Sequence, residues 1–254
     1  MPACAASAGL DVGQALRDGW RAFHRAPGAF LAFTLLVTGL QAICKLLLAP
    51  LAVPQEPGLG LSDWLQGLAG LLGLGGVHLW AVCGFVRASW TALEGKRPTA
   101  AHFLRPDLRA LGRLAGALFT LSGLAFGAVL LLALLEAAVS LVSGALAVAV
   151  ALLPLPGLLY LLVSQRFLAP IALLEGPGSL ATLERGRRRV DPLWGSVLLL
   201  GVAQLVLLLL GLLLGLVGVF VALPVIACSS TAAYRQLFGR RDRTGLVAPS
   251  AGTT

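Results

Sequence analysis

Between Leu114 and Ser164 the chain carries one charged residue, Glu136. A helix needs about 20 apolar residues to cross the hydrocarbon core of a bilayer, so this tract holds two spans. The tract from Leu193 to Ala233 has no charge and is again two spans long. Two shorter apolar tracts lie ahead of them. The expected spans are 29–49, 65–86, 114–135, 152–174, 193–213 and 216–236. Backbone polar groups in lipid must be satisfied within the protein, so the fold class is an all-α integral membrane protein with six transmembrane helices.

Composition agrees. Charged residues make up 12% of the chain, hydrophobic ones 58%, and the mean hydropathy is +0.91. A soluble domain carries about 25% charged residues. The net charge of +8 sits in short segments beside the apolar tracts, a placement suited to membrane phosphates. Cys4, Cys44, Cys83 and Cys228 lie too far apart for a zinc or redox motif. The N-terminus lacks a basic region followed by an apolar core, so no cleavable signal peptide is expected.

Punctuation between the spans comes from proline, glycine and charge. Pro50, Pro54 and Pro57, with Glu56 and Asp63, predict a loop over 50–64. Gly67, Gly70, Gly73, Gly75, Gly76 and Gly84 predict that the second span is packed centrally. The next turn is expected between Glu136 and Ala151, with Pro154 and Pro156 near the start of the fourth span. Gly215 and Gly218 are the expected reversal before the sixth span, and Pro224 should kink that span. Residues 1–10 and the basic tail 239–254 are expected to be disordered, leaving a single membrane domain over 11–238.

Charge placement sets the topology. Eighteen of the nineteen lysines and arginines fall in the N-terminal segment, the 87–113 loop, the 165–195 island and the tail. Only Lys45 falls on the other side. The positive-inside rule then puts both termini in the cytoplasm. The result is three hairpins, each preceded by an amphipathic basic cytoplasmic segment. In the first segment Leu16, Trp20 and Phe23 share a face expected to lie on the membrane. Thr99 is expected to cap a short helix in the second. A repeat supports the threefold plan: Leu16, Arg21 and Gly28 recur at the same spacing as Leu104, Arg109 and Gly116, and as Leu183, Arg188 and Gly195.

At the central island, Arg166-Phe-Leu-Ala-Pro170-Ile-Ala-Leu-Leu-Glu175 closes one span, and Ala181-Thr-Leu-Glu-Arg185 with Trp194 opens the next. Gly19-Trp20 with Phe23, and Thr231-Ala-Ala-Tyr234-Arg-Gln-Leu237, extend the pattern to both ends. It resembles the six-span membrane domain joined to some bacterial glycerophosphodiester phosphodiesterases, and the stand-alone bacterial membrane proteins related to it. Gly186 stands where that family usually has serine. The resemblance implies a bacterial cytoplasmic-membrane module without the phosphodiesterase activity, which belongs to a separate soluble barrel. No cofactor or metal is expected, and the chain is not expected to be an enzyme.

Two groups of residues are candidates for function. His78 and Gln204 fall near mid-span at similar depth, and polar groups there need partners, so they form a candidate intramembrane pair. Lys45 and Glu136 both fall near the outer interface and are a second candidate pair. Arg185, Arg187, Arg188 and Arg189 form a candidate contact for lipid headgroups or a partner. The expected role is a non-catalytic module in membrane or lipid homeostasis or in scaffolding a partner. The alternative is a transporter or permease for a small or lipid-like substrate. The expected partners are a bilayer with anionic headgroups and an unidentified protein; nucleic acid is not expected, and the oligomeric state is left open.

Overall fold

The computed structural model describes residues 9–52 and 60–247, and among them there is no strand. Helix α1 (Val12–His24) starts at Asp11, whose carboxylate accepts from the Gln14 N–H at 2.8 Å. Helices α2 (Pro27–Ala52) and α3 (Leu61–Leu93) form the first hairpin. The short α4 (Ala100–Leu104) leads to α5 (Leu108–Ser140), which returns through α6 (Gly144–Leu152), α7 (Pro154–Ser164) and α8 (Leu168–Leu174). Helix α9 (Ser179–Val190) and a 3-10 turn lead to α10 (Trp194–Leu213) and α11 (Leu216–Phe238). Six runs are long and apolar enough to cross a bilayer: Pro27–Leu51, Leu61–Leu93, Leu108–Ser140, Val148–Leu174, Ser179–Leu213 and Val217–Phe238. The protein is an all-α, six-span membrane protein. Helices α3 and α5, of 33 residues each, are about 50 Å long. That exceeds a hydrocarbon core of about 30 Å, so their ends stand clear of it.

Proline decides where the helices break. Helix α2 runs through Pro50 to Ala52, so the expected loop begins later, and residues 53–59 of it lie outside the described residues. The third turn falls at residues 141–143, inside the expected interval. The fourth span, however, begins at α6 and not at 152. Pro154 has no N–H to give Val150, so the prolines interrupt this span at Leu153 instead of opening it. A second break at residues 165–167 precedes Pro170, which cannot donate to the Arg166 carbonyl. Gly215, with φ +80°, makes the last reversal. Gly218 does not share in it. A β-carbon there would sit 2.3 Å from the Gly211 carbonyl oxygen, so this pair lets α10 and α11 touch. Helix α11 continues through Pro224.

Two helices lie at the centre, α11 and the glycine-rich α3, which packs against α1, α2, α4, α5, α8 and α11. Half of the most apolar eighteen-residue stretch of α11 is buried, against 28% for α3 and none for α5. Helix α11 packs against α1, α2, α3 and α10. In α3, Gly70 and Gly84 do admit close neighbours, Cys44 and Phe33, but Gly75 and Gly76 face open space.

Each surface segment settles on a neighbouring hairpin. Phe103 of α4 inserts beside Phe30 and Phe33, with ring centroids at 5.1 and 4.9 Å. His102, not the Thr99 hydroxyl alone, closes the start of α4: its Nδ1 accepts from the Thr99 N–H at 3.1 Å. Helix α9 packs against α5 and α8. Helix α1 closes the circle by packing against α11. Its buried face is Ala15, Gly19, Ala22 and Phe23, while Trp20 is 48% exposed. The expected membrane-facing stripe of Leu16, Trp20 and Phe23 therefore divides. The cause is Gly19, where an added β-carbon would lie 2.6 Å from Ser229 Cα. The repeat does not survive as equivalent environments, since Leu183 is buried and Leu104 exposed.

The start of the tail is folded, contrary to expectation. The Asp242 carboxylate accepts from the N–H groups of Thr244, Gly245 and Val247. The Thr244 hydroxyl donates to the Leu173 carbonyl at 2.6 Å, and Leu246 is buried. Residues 1–8 and 248–254 lie outside the described residues.

Candidate functional site

Both described chain ends and all three basic connectors meet at one end of the bundle. Arg87 of α3 donates to the carbonyls of Leu246, His102 and Arg105. Arg113 of α5 donates to Ala172 and Leu173. The Asp11 N–H donates to Gln236 at 3.1 Å. Arginine here serves as a multi-pronged donor that satisfies the carbonyls at helix ends.

The four arginines of α9 do not act as one patch. Arg185 pairs with the buried Glu175, which also accepts from the Tyr234 hydroxyl at 3.0 Å. Arg189 donates to the Leu237 carbonyl at 2.9 Å. Arg187 and Arg188 both grip Glu184, at 3.0 and 2.6 Å. Hydrogen bonds from these two guanidinium groups hold the Glu184 carboxyl well below the usual carboxylate range, at about 2. So Arg185 and Arg189 tie α9 to α8 and α11, while Arg187 and Arg188 remain exposed. A groove of about 540 Å³ runs beside them, bounded by Ala181, Arg188, Leu237 and Phe238 among others.

His78 and Gln204 do not meet. His78 is exposed on α3. Gln204 is 2% exposed; its Oε1 accepts from Arg166, and its Nε2 donates to the hydroxyls of Ser229 and Ser230 at 2.7 and 3.1 Å. Depth alone suggested the pair, but which side of its helix His78 occupies decides the matter. In sequence Arg166 belongs to the basic island expected at the surface. The break before α8 instead turns it into the bundle, about 10 Å in from Glu175 along the seven residues of α8. Pro170 was the available signal. Lys45 is exposed, and among the described residues neither it nor Glu136 joins an ion pair.

A second groove, of about 480 Å³, lies on the flank of the bundle between α5 and α7. Leu124 and Ala128 of α5 and Leu161 of α7 line its walls. Leu180 and Leu183 of α9 roof it, with Gln165, Glu184 and Arg187 at its basic end. Apolar walls with polar groups confined to one end match the division of a phospholipid into chain and headgroup. Among the described residues no three His, Cys, Asp or Glu side chains gather to hold a metal. No family model, curated protein or solved structure matches this chain.

Proposed function

We propose that the chain is a non-catalytic module of the bacterial cytoplasmic membrane, with both termini in the cytoplasm, that engages anionic phospholipid in membrane homeostasis. The flank groove between α5 and α7 carries this reading, because its walls are apolar and its polar groups, Gln165 and the Glu184–Arg187 pair, gather at one end, the division that a phospholipid presents. The concentration of basic residues on one side supports the orientation. The likeness of the 166–175 and 181–185 segments to the phosphodiesterase-linked membrane domain supports a membrane module without hydrolase activity.

The test is lipid retention. Native mass spectrometry of the protein extracted in mild detergent should find phosphatidylglycerol or cardiolipin on the wild type. Filling the groove with Leu124→Trp and Ala128→Trp should remove most of it. Equal retention in the filled variant would sink the proposal, and a protein bound at the same flank would move it to scaffolding.

One observation favours passage of a substrate instead: Arg166 lies inside the bundle without a carboxylate partner among the described ion pairs. Comparing solutes accumulated by cells carrying wild type and Arg166→Gln tests that. A solute that differs between them, with lipid retention unchanged, would replace the lipid reading with transport.

A further inference from the structure

At the basic end, beside the Gly19–Ser229 contact, α1 and α11 border a cleft of about 310 Å³. Its rim holds Asp18, Arg21 and Arg25 from α1, and Arg235, Gln236 and Arg240 from the C-terminal end of α11 and just beyond it. Four guanidinium groups thus face one carboxylate, a formal excess of three positive charges.

The single carboxylate is weakly committed. Asp18 stands 3.5 Å from Arg21, whose side chain is 73% exposed. Arg25 gives one N–H to the Ala92 carbonyl. Arg235 lies over the Trp90 ring, 4.9 Å from its centroid, and its Nη1 is buried without a hydrogen-bond partner. The Trp90 indole N–H is engaged at the ring edge, donating to Glu94 at 2.9 Å. Glu94 also takes Lys96 at 3.5 Å, so that carboxylate is occupied elsewhere. Among the described residues Arg240 has no ion-pair partner.

A buried guanidinium N–H without an acceptor is costly to leave unmade. A cleft whose donors outnumber its acceptors is complementary to an anion with several oxygens. Planar guanidinium groups favour phosphate above other anions, because two parallel N–H bonds match two phosphate oxygens. The volume is near the lower limit of ligand pockets, so it admits a headgroup and not a whole lipid.

We propose that the α1–α11 cleft is a phosphate-binding site, taking either a phospholipid headgroup or a small soluble phosphate compound. It is built from different helices than the flank groove and does not depend on that reading. Its residues come from the two ends of the sequence, so the site exists only when α1 is docked on α11.

Phosphorus NMR of the purified full chain in a phosphate-free detergent tests this. Inorganic phosphate, glycerol 3-phosphate and dihexanoyl-phosphatidylglycerol are added in separate titrations. Broadening by all three assigns a soluble phosphate compound, and broadening by the lipid alone assigns a headgroup. Arg21→Gln with Arg240→Gln changes only exposed side chains and should weaken binding at least fivefold with an unchanged elution profile. Arg97→Gln with Arg109→Gln, exposed on the second connector and outside both grooves, should leave that binding intact. No broadening by any of the three overturns the site, as does full binding in the first double variant. Loss confined to the connector variant would place the phosphate elsewhere and overturn it too.

Discussion

Helices α9 and α1 each lead a hairpin, yet they dispose of their arginines in opposite ways. On α9 the arginines lie within five residues, and the fold supplies each with an acceptor: Glu175, Glu184 or the Leu237 carbonyl. Around α1 they are scattered from Arg21 to Arg240, and the fold gathers them beside Asp18 alone. Charge density along a chain therefore says little about charge left available. Availability depends on where the carboxylates end up, and this chain has only eleven to place.

The largest predicted effect tests the seam itself. Gly19→Val places a methyl-bearing carbon where Ser229 backbone atoms stand at 2.6 Å. Overpacking of this kind costs about 1–3 kcal/mol. A lower melting temperature in detergent should accompany faster tryptic cleavage near Arg25. A variant that melts and digests like wild type would break the contrast at its base.

Next comes the anchoring pair of α9. Arg185→Gln leaves the buried Glu175 carboxylate without its charge partner and should cost about 1–3 kcal/mol, read by thermal unfolding. Glu175→Gln should cost less, because the arginine it strands has a side chain 42% exposed, which water can serve, while the glutamate is only 5% exposed. The reverse order would show that the guanidinium, not the carboxylate, is the group water cannot reach.

Glu184→Gln sharpens the comparison by making α9 resemble the seam. Freed from their carboxylate, Arg187 and Arg188 should bind vesicles of phosphatidylglycerol more tightly in co-sedimentation. Unchanged binding would mean that the ion pairs do not mask them.

The smallest effect is one of pH. A carboxylate with a depressed pKa stays ionised in the folded protein, and keeps its ion pairs, until pH falls to the folded value, here about 2. The difference in vesicle binding between wild type and Glu184→Gln should therefore persist from pH 7 to pH 4. A difference that closes near pH 4.3, the ordinary glutamate value, would show that the arginines do not hold it.

Much of this architecture was legible because lipid acts on residues one at a time. Tracts such as Leu114–Ser164 must span whatever they touch, and Gly215 is the point where the last pair reverses. What stayed hidden depends on neighbours distant in sequence. Gln204 at mid-span calls for partners, but Arg166 reaches it through the break before α8, and Ser229 and Ser230 through the packing of α10 on α11. Leu246 looks like a stray apolar residue in a polar tail until the Arg87 guanidinium is found on its carbonyl at 3.1 Å. Gly19 resembles any small residue until Ser229 stands against it.

The circle of helices has a consequence for biogenesis. Asp11 and Gln236 touch although 225 positions separate them. At about 5–20 residues per second, the ribosome takes roughly 10–45 s to make that interval. Throughout it the first helix waits at the surface with its small-residue side uncovered, and nascent chains stalled before the last span would display it to chaperones and proteases. Docking of α1 thus reports that α11 has been made.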